Sequence, residues 1–235
     1  MKKLSSVFLC VSIIFGVTGL ANGTTIEDPW RGGGEDNLYE IFNTLFGTSY
    51  STSNALFSAR GLADVDDDRW YETNGGIQLT VRYAAYGQEL GYEDSDGYTQ
   101  LASGIASGYT DVSIGPFNTD SDFVWVEKWK KSGTEFGEWY SDDRNSSNDH
   151  FVAFAIKDQK LLNAYEVYGG DDLSVTDNVW LIAFEDLDLG DRDYNDLVAV
   201  ITEAAPIPDG ATVVLLGSAM LGVAVFCRKK VFKRS

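Results

Sequence analysis

The apolar positions along this chain change their spacing once, early, and that change predicts its architecture. Leu38, Ile41, Phe42 and Leu45 recur at i, i+3, i+4 and i+7, the stripe of a helix with one buried face. Glu35 and Asp36 suit the positive N-terminal end of such a helix, and Gly47 suits its stop. Beyond it the period is that of strands. Ile77-Gln78-Leu79-Thr80-Val81-Arg82-Tyr83 alternates apolar and polar, with one face for a core and one for water. Over 123–131, Phe123, Trp125 and Trp129 share a face with Glu127, and Val124 and Val126 share the other with Lys128 and Lys130. Residues 151–156 and 179–184 are almost wholly apolar, as strands covered on both sides require, and 197–201 makes a last strand. Clusters of Gly, Asp, Ser and Asn separate these runs. The expected fold is all-β, mainly an antiparallel β-sandwich or jelly roll, with one N-terminal amphipathic helix.

The two ends read as addresses. Residues 1–23 have the form of a signal peptide: Lys2 and Lys3, an apolar stretch over 7–17, then the small residues Gly19, Ala21 and Gly23. At the other end, Ile207-Pro208-Asp209-Gly210 precedes an apolar run over 211–227 that is near the minimum for a membrane-spanning helix. Arg228, Lys229, Lys230, Lys233 and Arg234 follow, a basic stop that would stay cytoplasmic and leave the body outside. The expected organisation is a signal peptide over 1–23, an acidic β-rich extracellular domain over 24–205, and a tail over 206–235 comprising a helix over 211–227 and a basic end over 228–235. A permanent anchor is the simpler reading of that tail. Its three-part layout also resembles the PEP-CTERM class of bacterial sorting signals, in the variant with Val-Pro-Asp-Gly, where Ile207 stands in place of Val. That resemblance implies processing by an exosortase. The body would reach the cell surface or the extracellular matrix after transient anchoring in the inner membrane.

Charge sharpens this picture. The net charge is −18, yet seven of the 18 basic residues lie in the two terminal segments, so the body is more acidic than the total implies. Such a body repels nucleic acid and anionic lipid and collects cations. The two cysteines, Cys10 and Cys227, fall in the terminal apolar segments, which excludes a disulfide framework in the body.

The acid is most concentrated between the last two apolar strands. Glu185, Asp186, Asp188, Asp191, Asp193 and Asp196 place six carboxylates there, with Asn195 among them and Arg192 as the loop's single cation. Converging carboxylates repel by about 4 kcal/mol per close pair near a surface. Calcium offsets that repulsion, because it takes six to eight oxygen ligands in flexible geometry. The candidate ligands are Asp186, Asp188, Asp191, Asp193, Asn195 and Asp196. An EF-hand is excluded, since counting from Asp191 its glycine position holds Asp196 and its last position Thr202. The alternative is a solvated hairpin whose Asp side chains cap their own turns. Phe184-Glu185-Asp186-Leu187 followed by Asp191-Arg192-Asp193-Tyr194-Asn195-Asp196-Leu197-Val198 resembles the signature of domain of unknown function 4114, and Asp149-His150-Phe151-Val152 resembles that family's preceding strand. The match runs over about 149–202, and the family carries no enzymatic activity to transfer.

Chemistry elsewhere is sparse. His150 is the single histidine, the body has no cysteine, and no Gly-x-Ser-x-Gly elbow occurs, so a nucleophilic site cannot be assembled. The sequence therefore predicts an exported, non-enzymatic structural or binding protein. A carbohydrate-binding module is the first alternative, with polysaccharide as partner and Trp139 and Tyr140 as its stacking residues. A glycoside hydrolase using two carboxylates is the second.

Overall fold

The computed structural model describes residues 26–28, 35–60, 69–83, 87–104, 107–114, 117, 119, 121–131, 135–145, 150–168, 173–186 and 192–207. The predicted signal peptide, Pro208-Asp209-Gly210, the apolar run, the basic tail, Asp188 and Asp191 lie outside them. Among the described residues no helix is long and apolar enough to cross a membrane.

The chain is mostly antiparallel sheet with few helices. Helix α1 (Leu38–Phe46) forms where the apolar stripe predicts it and buries Leu38, Ile41, Phe42, Leu45 and Phe46. Its start is held by the Asn37 N–H donating to Glu40 Oε2 at 2.9 Å, and its end by Gly47, whose φ of 61° a residue with a Cβ adopts only at a cost. Two further helices, α2 (Ser53–Arg60) and α3 (Gln159–Tyr168), correct the expectation of a single one. Among its described side chains, α3 buries Leu161, Leu162 and Tyr165. It docks on α1 through Tyr165, which stacks on Phe46 at 5.5 Å.

Among the described residues the strands are, in chain order, β1 (Trp70–Arg82), β2 (Gly87–Asp94), β3 (Gly97–Ser103), β4 (Gly108–Ile114), β5 (Val124–Lys131), β6 (Glu135–Tyr140), β7 (Phe151–Ala155), β8 (Trp180–Phe184) and β9 (Leu197–Pro206). They make a five-stranded sheet, β4-β1-β9-β8-β7, and a four-stranded sheet, β3-β2-β5-β6, with every neighbour antiparallel. The chain changes sheet between β1 and β2, β3 and β4, β4 and β5, and β6 and β7.

Period-two alternation assigns each face. Phe151 and Ala153, Ile182 and Phe184, and Leu197, Ala199 and Ile201 join Leu90, Tyr92 and Trp125 of the smaller sheet in one core. Their neighbours Val152, Phe154, Leu181, Ala183, Val198 and Val200 turn the other way and pack with α1 and α3. The larger sheet is therefore buried on both faces, which is why β7, β8 and β9 read as unbroken apolar runs. A bulge between Leu79 and Val81 sends Ile77 to one core and Val81 to the other. At the opposite end Trp70 and Phe123 exchange both backbone hydrogen bonds, at 2.7 and 2.8 Å, and so tie the starts of β1 and β5 together.

Gly91 of β2 illustrates how close the smaller sheet is packed. A Cβ there would overlap the Thr99 carbonyl oxygen of β3 and lie 2.6 Å from the Tyr98 ring. Overpacking of this kind costs about 1–3 kcal/mol. Gly91→Ala is expected to lower the Tm by roughly 2–12 °C, read by thermal circular dichroism.

Candidate metal centre

The acidic segment folds back where β8 ends and β9 begins. The Trp180–Phe184 ladder with β9 brings Phe184 opposite Leu197, so the residues just beyond each strand must converge. Oxygens of Glu185, Asp186 and Asp196 all lie within 4.8 Å of one another. Glu185 and Asp186 are buried, at 2% and 3% exposure, and the Asp186 N–H donates to Asp196 Oδ2 at 2.9 Å.

Glu185 also organises the chain beyond the undescribed residues. Its Oε2 accepts from the backbone N–H groups of both Asp193 and Tyr194, each at 3.2 Å. Successive N–H groups converging on one anion form a nest. Arg192 and Tyr194 both adopt φ of 52°, a left-handed conformation that is uncommon for such side chains. The turn is held from several sides: Glu27 N–H donates to Arg192 O at 2.8 Å, Asn195 Nδ2 donates to Asp36 O at 2.8 Å, and the Tyr194 side chain is buried in the helix-side core.

Two predicted ligands pair with each other: Asn195 Nδ2 donates to Asp193 Oδ2 at 3.0 Å, with both side chains almost fully buried. The structure thus gathers Asp186 and Asp196 from the predicted set and adds Glu185, which the charge pattern had grouped with them but not assigned as a ligand.

The facing sheet contributes what the sequence did not reveal. Glu127 of β5 is 0% exposed and Gln88 of β2 is 1% exposed. Gln88 Nε2 donates to Glu127 Oε1 at 2.5 Å and reaches Asp186 Oδ2 at 3.4 Å, bridging the two sheets. Burial pushes the Glu127 carboxyl well above the usual carboxylate range, and the Asp196, Asp186 and Glu185 carboxylates push it further, against the pull of Arg82. Glu127 Oε2, Gln88 Oε1 and Asn195 Oδ1 find no hydrogen-bond donor among the described residues.

Trp139 and His150 wall the site. Their rings stack with centroids 3.5 Å apart and planes at 5°. Trp139 Nε1 donates to Asp186 O at 2.8 Å, and His150 Nδ1 donates to Glu185 O at 2.9 Å. Trp139 is half-buried, with its indole N–H engaged by the strand end. His150 is fully buried.

The candidate ligand atoms are all carboxylate oxygens. Oxygens bound to calcium at 2.3–2.6 Å lie no more than about 5 Å apart, which matches the observed convergence. Fold and site together define a two-sheet antiparallel domain with a buried carboxylate centre at one end of its larger sheet. No protein-family model matches the chain, and no curated protein matches it.

Proposed function

We propose that this protein is an exported, non-enzymatic structural or binding component of the cell surface or extracellular polysaccharide matrix, with calcium stabilising its β-domain. The two sheets would form a sandwich of the jelly-roll kind. The tail would be sorted by an exosortase after transient anchoring through the apolar run, a reading supported by its resemblance to PEP-CTERM signals. One observation carries the calcium reading: oxygens of Glu185, Asp186 and Asp196 converge within 4.8 Å, with Glu185 and Asp186 buried. Burial of Glu127, Glu185 and Asp186 supports a structural rather than hydrolytic use, since a polysaccharide cannot reach carboxylates at 0–3% exposure. The hydrogen bond from the Trp139 indole to Asp186 O favours a packing role for this ring over the stacking role of a carbohydrate-binding module.

Thermal melting of the purified protein in calcium and in chelator tests this reading. Calcium at a hundred times its Kd stabilises a native state by about 2.7 kcal/mol. The expected rise in Tm is roughly 5–10 °C. It should vanish when Asp186→Asn is combined with Asp196→Asn. Superimposable wild-type curves in the two buffers would overturn it.

A further inference from the structure

We infer that the cation is held between the two sheets, with Glu127 of β5 supplying a ligand from the sheet opposite Glu185, Asp186 and Asp196. This rests on the calcium reading above and changes what the ion does. A site built by the loop alone would stiffen one hairpin, whereas a site that includes Glu127 fastens the sheets to each other.

Three observations support it. Glu127 occupies an inward position of β5, two residues from the core residue Trp125, where alternation calls for an apolar side chain. A fully buried carboxylate in that place is costly unless an opposite charge or hydrogen bonds compensate it. Its one described donor is Gln88 Nε2, on Oε1, while Oε2 has no donor among the described residues. Gln88 is a positioning residue: it spans from Glu127 to Asp186 and fixes the two carboxylates against each other. Arg82, 7% exposed, is a nearby cation, and together with a divalent ion it offsets most of the charge of four carboxylates.

The clamp has a consequence for where the protein becomes stable. Extracellular calcium modules bind in the range of about 10⁻⁴–10⁻³ M. A site of that affinity stays apo at low cytosolic calcium and fills after export. The sheets are then locked together outside the cell, and release of the ion requires them to part at this end.

Terbium, which substitutes for calcium and luminesces when a nearby indole transfers energy to it, tests the clamp on the full chain. Tryptophan excitation should produce terbium emission that calcium competes away. Glu127→Gln, which keeps the shape and removes the charge, should weaken calcium competition at least tenfold while raising the Tm in chelator. An Asp96→Asn control in the exposed turn between β2 and β3 should change neither. Wild-type calcium affinity in Glu127→Gln would overturn the clamp and leave a loop site standing. Absence of terbium emission and of any calcium binding heat in the wild type would remove the calcium reading itself. Should Glu127→Gln fail to fold, Glu127→Asp decides the matter. It keeps the charge on a shorter arm, so calcium competition should weaken severalfold, and wild-type calcium affinity would overturn the clamp.

Discussion

Trp70→Ala is expected to cost about 3–5 kcal/mol, since a truncated buried tryptophan loses both its transfer energy and its packing. Trp70 is 0% exposed and sits where the two sheets are joined. Its ring meets Trp180 at 5.3 Å, Trp125 at 6.1 Å and Phe151 at 6.2 Å, each edge to face, so partners from both sheets lose contact together. Edge-to-face pairs contribute about 0.5–1.5 kcal/mol beyond the area they bury. Domains of this kind are stable by only about 5–15 kcal/mol, and the urea midpoint should fall by roughly a fifth or more. Tyr71→Ala, one residue along and 45% exposed, should stay within about 0.5 kcal/mol of the parent. A Trp70→Ala loss below about 1 kcal/mol would mean that the sheets do not share the core described here.

The elements legible in the sequence are those whose environment is uniform. α1 has one wet and one dry face, and β7, β8 and β9 are dry on both, so each announces itself by period or by composition. The strands of the smaller sheet are harder to read because that rule is broken inside them. β2 turns Gln88 inward, and β5 turns Glu127 inward, at positions that a purely structural sheet would fill with apolar side chains. These are also the residues that reach the carboxylate centre. Local rules fail most informatively where a site has been built. The acid-rich turn itself was visible as a concentration of charge. Its completion was not, because Gln88 lies 98 residues from Asp186 and no local pattern links them. The surroundings of Trp139 were hidden for a related reason. Sequence shows an aromatic next to an acidic loop, while register decides which residues share its face, and here it pairs with Glu127 on β5.

Glu185→Ala is the second large effect, and it separates the two tasks that this side chain performs. Removing the carboxylate strands the Asp193 and Tyr194 N–H groups, both buried, at about 1–3 kcal/mol each. The left-handed backbone at Arg192 and Tyr194, costing on the order of 1–3 kcal/mol per residue, then loses one of the contacts that hold it. A loss of about 2–5 kcal/mol in chelator is expected, with faster hydrogen exchange at the Asp193 and Tyr194 amides. The calcium-dependent rise in Tm should disappear as well. Glu185→Gln keeps a neutral oxygen acceptor for the nest, so it should retain most of the stability in chelator and still respond weakly to calcium. The contrast between the two substitutions is the diagnostic result. If Glu185→Ala melts with the parent in chelator, the nest does not organise this turn; if Glu185→Gln responds fully to calcium, Glu185 is not among the ion's ligands.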